Sequence, residues 1–290
     1  MNFAIIGGDD RSVRLVRLLR DDGHAVRHFA LERALPDGAS SAAEAARDAD
    51  CAVLPLPAVR DGVLNAPYAA QRHTLPAVLR GLRPATPLCA GKADAALRED
   101  CARLGLPLYD YFRREDFTLR NAELTAEGAA ALLAKRRALA GSRVLVAGFG
   151  RIGGRLAARL AAAGAEVTVA ARSPAALAAA EKLGCRTVAL AQAAAPGYDF
   201  VVNTVPAVVF GAEEIAAFGS AALIELASPP YGFDLAAAGG AVTLCAGLPG
   251  TYAPEAAAAA VRGAIYAIME ERNLETAADR AGADRLLLHL

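Results

Sequence analysis

Arg143-Val-Leu-Val-Ala-Gly-Phe-Gly-Arg-Ile-Gly-Gly-Arg-Leu-Ala157 decides how this chain is read. Val144 to Ala147 form a short apolar run of the kind buried on both faces of a parallel sheet. Gly148, Gly150 and Gly153 follow at GxGxxG spacing, and Ile152, Leu156, Leu160 and Ala163 then recur at helical spacing. A strand, a glycine turn and a helix in that order build an anion cradle. Gly148 permits the tight turn, Gly150 the approach of a pyrophosphate, and Gly153 close packing of helix on strand; Phe149, Arg151 and Ile152 lie within the same cradle. The spacing predicts a dinucleotide-binding domain.

The next predicted strand, Glu166-Val-Thr-Val-Ala170, runs into Ala171-Arg172-Ser173, where an NAD site places an acidic residue against the ribose. A guanidinium fork at Arg172 and a hydroxyl at Ser173 suit a 2′-phosphate instead, which favours NADP; the plainer alternative is an exposed arginine opening a loop. Further strands are expected near 185–188, 199–202, 221–225 and 241–245. Three loops then fall at strand ends: Asn203-Thr204-Val205-Pro206, the loop containing Ala227, and Gly247-Leu248-Pro249-Gly250. Open α/β sheets bind ligands there. Asn203 and Thr204 are expected against the nicotinamide ribose, with the ring beside the Gly247–Gly250 turn.

Working toward the N-terminus, Phe3-Ala-Ile-Ile-Gly-Gly8 reads as a strand ending in a glycine turn. A helix over about Ser12–Asp21, a strand over His24–Phe29, and apolar runs at Cys51–Leu54 and Thr86–Ala90 follow. The expectation is an α/β protein of two Rossmann-like parallel-sheet domains with an interdomain cleft, the second of them binding the dinucleotide. Its parts are residues 1–122, residues 123–252, and a C-terminal helical segment, 253–290, packing back toward the first domain. A polar passage from Tyr109 to Asn121 is expected to join the domains, followed by a helix over Thr125–Ala138 with Thr125 as its N-cap.

Substrate contacts are sought at Gly8, Arg11, Lys92, Arg114, Asn121 and Thr125, with Arg114 gripping a carboxylate. Asp9 and Glu127 are the candidate bases. Each has a plainer alternative as a turn, a helix-end charge or a solvated surface group. Lys+Arg and Asp+Glu both number 31, which argues against a nucleic-acid footprint. No apolar stretch approaches the length of a membrane span. The start of the chain runs directly into a strand pattern, and the 5 cysteines show no CxxC pair, so a reducing, cytoplasmic setting without a metal site is expected.

With these motifs in place, the chain resembles the family of dipicolinate synthase A subunits from endospore-forming bacteria. The resemblance rests on Ile5-Ile-Gly-Gly-Asp9, Leu54-Pro55, Arg114-Glu-Asp116, Thr125-Ala-Glu-Gly128, Gly148–Gly153, Ala171-Arg-Ser173, Asn203–Pro206 and Gly247–Gly250. It implies an NADP-dependent oxidoreductase working in the sporulating mother cell with a flavoprotein-like B subunit. The reaction implied is oxidation of dihydrodipicolinate, or its hydrated 4-hydroxy-tetrahydro precursor, to pyridine-2,6-dicarboxylate. One departure stands out: an arginine of the family pattern is absent after Ser228, where this chain has Pro229-Pro230-Tyr231-Gly232. The competing readings are another two-domain dehydrogenase and a nonenzymatic NADP(H)-sensing subunit. Formation of a homo-oligomer follows from fold analogy alone.

Overall fold

The computed structural model describes the backbone of residues 1–287 and the side chains of residues 1–273. The chain forms two compact units, one of Met1–Arg120 with the segment from Pro254 onward, the other of Asn121–Ala253. The first unit holds strands β1 (Asn2–Ile6), β2 (Ala25–Phe29), β3 (Cys51–Val53), β4 (Val59–Arg60), β5 (Val63–Leu64), β6 (Leu88–Ala90) and β7 (Leu108–Asp110). Five of these make a parallel sheet in the order β2-β1-β3-β6-β7, while β4 and β5 pair as a separate antiparallel hairpin. The helices of this part are α1 (Asp10–Asp21), α2 (Ala42–Ala45), α3 (Leu75–Arg80) and α4 (Ala95–Arg103).

Successive residues of β1 point to opposite faces, and both faces are covered. Ala4 and Ile6 join one core with Leu79, Leu88 and Leu97. Phe3 and Ile5 join another with Val16 and Leu19 of α1. This double burial explains why the strand is apolar without alternation.

Helix α5 (Glu115–Arg136) corrects the linker reading. It begins ten residues before Thr125, because Glu115 and Asp116 already satisfy the positive end of the helix dipole. Thr125 is not a cap: its hydroxyl donates to the Asn121 carbonyl one turn back, at 2.7 Å. The passage from Tyr109 is therefore the end of β7, a short 3-10 turn at Tyr111–Arg113, and the first turns of α5.

The second unit contains β8 (Arg143–Ala147), β9 (Glu166–Ala171), β10 (Arg186–Ala189), β11 (Phe200–Asn203), β12 (Ala222–Glu225) and β13 (Val242–Leu244), with α6 (Arg151–Ala162), α7 (Pro174–Glu181), α8 (Ala212–Ala217) and α9 (Leu248–Tyr252). All strands are parallel, in the order β10-β9-β8-β11-β12-β13. The order reverses direction between β8 and β11, which makes their C-terminal ends the topological switch point.

The chain then returns to the first unit as α10 (Pro254–Leu287), a single long helix. Nothing in Glu271-Arg-Asn-Leu-Glu275 breaks a helix. Ala258, Val261, Ile265 and Ile268 form its apolar stripe and close the core around α1. At the edge of that contact, Asp22 accepts from Tyr266 at 2.6 Å and from Arg262 at 3.1 Å. The Tyr266 hydrogen bond, aided by Arg262, holds the Asp22 carboxyl below the usual carboxylate range.

Candidate dinucleotide-binding site

The glycine loop lies at the switch point. Gly148 sits at φ +93°, the left-handed region that glycine enters without strain, and a Cβ there would meet Thr204 Oγ1 at 2.5 Å. Gly150 is the N-cap of α6 and supplies no capping side chain. A Cβ built on Gly150 meets nothing within 4 Å, so the notch in front of the first turn is open. Gly153 is the opposite case: its Cβ would lie 2.9 Å from the Gly148 carbonyl carbon and overlap the oxygen. One glycine turns, one leaves room and one packs. With the amides of the first turn and the helix dipole aimed at the notch, these residues fit a dinucleotide pyrophosphate.

Arg172 and Ser173 follow the end of β9, and both are exposed. Ser173 is the N-cap of α7 but its hydroxyl makes no capping bond. Arg172 makes no hydrogen bond or ion pair among the described residues. Across the switch point, Thr204 donates from both its amide and its hydroxyl to the Ala147 carbonyl, each at 2.8 Å. This ties the loop after β11 to the end of β8. Val205 is half-buried and Pro206 exposed beside it.

Asn203, expected against the ribose, is turned inward and fully buried. Its amide nitrogen donates to Val205 O at 2.9 Å and to Glu225 Oε1 at 2.7 Å, and its amide oxygen accepts from Val205 N at 3.1 Å. Glu225, which sequence reasoning missed as a site residue, is 1% exposed. Oε1 also accepts from Ala227 N at 2.8 Å, while Oε2 accepts from Gly232 N at 2.8 Å and Phe233 N at 3.2 Å. One buried carboxylate thus takes four donors and shapes two strand-end loops. The signal was an acid ending the apolar run Ala222-Leu-Ile-Glu225, but its meaning depends on the register that sets Asn203 opposite Glu225. Gly247, at φ +73°, leads directly into α9, so Leu248 and Pro249 are helical and Pro249 is buried; the expected open Gly247–Gly250 turn is replaced by a helical one.

In the first unit the Gly7-Gly8 turn is no open cradle. The Gly7 amide donates to Phe29 O and the Gly8 amide to Asn65 O, each at 2.8 Å. Asp9 caps α1 and accepts from Arg11 Nε at 2.9 Å and Nη2 at 2.7 Å. Arg11 is itself buried, its Nη2 also reaching the Leu56 carbonyl. Lys92 is exposed, held at φ +56°, and its amide bonds to Asp110 at 3.1 Å. Arg114 makes two bonds to Glu271, at 3.0 and 2.9 Å, and two to Asp116, at 3.2 and 3.4 Å; the Glu271 bonds raise its pKa further. Its guanidinium is committed within the unit.

The remaining candidates lie on α5 in the second unit. Asn121 is half-buried and Thr125 buried. Glu127 faces Arg159 at 3.4 Å, and Arg159 also bonds Glu123. Asp9 and Glu127, the two candidate bases, therefore each sit beside a guanidinium.

Residues 2–112 match the family profile described as the N-terminal domain of the dipicolinate synthase A subunit. Residues 113–224 match the NAD binding domain of D-isomer specific 2-hydroxyacid dehydrogenases. The dipicolinate synthase A subunit of Bacillus subtilis (strain 168) is 28% identical over 292 residues, covering 95% of this chain and 98% of that one. The crystal structure of the dipicolinate synthase A chain from Bacillus subtilis superposes with a TM-score of 0.78 at 26% identity, over 95% of this chain and 97% of that one. The corresponding dipicolinate synthase structure from Bacillus halodurans gives the same TM-score, 0.78, at 24% identity, over 92% and 97%. In sequence and fold this chain is similar to the dipicolinate synthase A subunits, and it is a two-domain α/β protein whose second domain has the fold of a dinucleotide-binding domain.

Proposed function

We propose that the chain is the hydride-transferring subunit of a dipicolinate synthase, with NADP as acceptor. The observation that carries the reading is the joining, in one chain, of an N-terminal domain of the dipicolinate synthase type to an open glycine notch followed by Arg172 and Ser173. Dihydrodipicolinate becomes pyridine-2,6-dicarboxylate by losing one hydride and one proton; the hydrated 4-hydroxy precursor loses water as well. Bound NADP⁺ supplies the acceptor for the electron pair. Aromatisation of the ring supplies the driving force.

The chain's own residues bind and orient. The first-turn amides of α6 receive the pyrophosphate in front of Gly150. Arg172 receives the 2′-phosphate through a charge-assisted fork, with Ser173 adding a lighter bond. Thr204 fixes the switch-point loop to Ala147, and Glu225 with Asn203 keeps the neighbouring loops in place, so little ordering is left for the bound state. The proposal includes a flavoprotein-like partner, the B subunit, together with a cytoplasmic site of action in the sporulating mother cell; both rest on the similarity.

The test combines the chain with that partner, freshly generated dihydrodipicolinate and NADP⁺, with each protein alone as control. Matched formation of pyridine-2,6-dicarboxylate and NADPH supports the assignment. Confirmed dinucleotide binding without either product refutes it, and oxidation of NAD(P)H by 2-oxo acids would then favour a hydroxyacid dehydrogenase, the reading suggested by the match over 113–224.

A further inference from the structure

A surface cavity of about 290 Å³ opens in the first unit beside the β4–β5 hairpin. Arg33, Arg60 and Arg72 line it, with Asp61 as the single carboxylate among the lining residues. None of the three guanidinium groups has a hydrogen-bond or ion-pair partner among the described residues. Several other arginines of this unit are paired, Arg11 with Asp9, Arg98 with Asp110, and Arg262 with Asp22. Three arginines against one aspartate leave the cavity with two uncompensated positive charges.

Its walls are fixed. Asn65 is 4% exposed, donates to Pro57 O at 2.9 Å, and accepts the Gly8 amide on its carbonyl at 2.8 Å. Glu32, adjacent to Arg33 in sequence, is spent on backbone: its two oxygens accept from Ala30 N at 3.1 Å and Ala70 N at 3.0 Å. That carboxylate staples the loop after β2 to the loop after β5 and leaves Arg33 unneutralised. The loop after β2 lies at the C-terminal end of a parallel strand, the side on which open α/β sheets bind ligands.

We infer that Arg33, Arg60 and Arg72 form a binding site for a small dicarboxylate. Guanidinium forks match carboxylates in geometry and charge, and two surplus charges match a dianion. A volume near the lower end of ligand cavities, about 300 Å³, admits one ring with two carboxylates. The dicarboxylate is either the reactant of the proposed synthase or a separate effector. The site itself rests on these residues alone and stands or falls apart from the synthase reading.

The experiment titrates the full chain with benzene-1,3-dicarboxylate, which keeps the carboxylate geometry but cannot be turned over, and with pyridine-2,6-dicarboxylate and benzoate. Both dicarboxylates are expected to bind saturably, benzoate about tenfold or more weaker, and R60A/R72A to lose about tenfold or more for both dicarboxylates with NADPH binding unchanged. All three side chains are exposed, so a melting curve suffices to show that the variants fold. A rise in KM for the reactant would assign the cavity to turnover; a change only in inhibition by added pyridine-2,6-dicarboxylate would assign it to an effector. Absence of saturable binding by either dicarboxylate, or equal affinity in R33A/R60A/R72A, overturns the proposal.

Discussion

Replacing Glu225 by glutamine changes almost no volume and removes half of what the carboxylate does. Its two oxygens receive four donors: Asn203 Nδ2 and Ala227 N on one, Gly232 N and Phe233 N on the other. A glutamine has one acceptor oxygen, so either orientation turns its NH₂ toward two of these donors. Asn203 cannot compensate by flipping, because Val205 holds its amide at both ends. Two buried donors are orphaned at about 1–3 kcal/mol each, so a loss of about 4 kcal/mol is expected. For a domain of this size that lowers the melting temperature by roughly 10 °C. The chain has no tryptophan, so unfolding is followed by far-UV circular dichroism, while NADPH fluorescence reports cofactor affinity without a competing indole signal. Glu214→Gln is the control, since among the described residues the Glu214 side chain accepts only the Gly211 amide, at 2.9 Å, and it should cost under about 1 kcal/mol. If Glu225→Gln costs no more than that control, the argument that this carboxylate holds the strand-end loops is wrong.

Four further outcomes are expected. Arg172→Ala should weaken NADP binding by about 10–100-fold and spare NAD, as competition titrations would show; equal losses for both would remove the 2′-phosphate contact. Gly153→Ala, with its Cβ 2.9 Å from the Gly148 carbonyl carbon, should destabilise the second unit by about 1–3 kcal/mol and abolish dinucleotide binding. Gly150→Ala, with nothing within 4 Å, should block binding while costing under about 1 kcal/mol of stability. Indistinguishable stabilities for the two alanines would contradict the division of roles. His28 is buried with Nδ1 unpartnered, and burial lowers its pKa in the folded state. The unfolded chain, with a pKa of about 6.5, therefore takes up a proton first as pH falls. Stability of the first unit should hold above that pH and decline as pH drops from it through the folded value. Urea midpoints near pH 7.5 and 5.5 test this, and a decline just as steep in His28→Gln would assign it to other groups.

The dinucleotide half was legible because its signals are local. Val144–Ala147, the spacing of Gly148, Gly150 and Gly153, and the stripe through Leu156 and Leu160 need no knowledge of the rest of the chain. Nonlocal partners were not legible. Gly7 and Gly8 have the composition of a cradle, yet their amides are taken by Phe29 and Asn65, residues far along the chain. Asn203 carries a polar side chain at a strand end, where a ligand is expected, and only the pairing of β11 with β12 shows it meeting Glu225 instead. Thr125 imitates a helix cap because a threonine hydroxyl can serve either an amide ahead or a carbonyl behind; here it serves the carbonyl. The strands β4 and β5, at two residues each, are shorter than any window in which period-2 alternation can be read.

The return of α10 to the first unit has a consequence during synthesis. Residues 121–253 are contiguous and hold everything their own sheet requires, so they can close while the ribosome is still working. The earlier residues cannot finish. Phe3, Ile5, Val16 and Leu19 pack against Val261, Ile265 and Ile268, which are made after residues 121–253. At usual elongation rates that apolar surface stays open for on the order of 10 s after Arg120 has emerged. The part translated first is completed last, and for that interval α1 presents a vacant groove to whatever chaperone or neighbouring nascent chain is near.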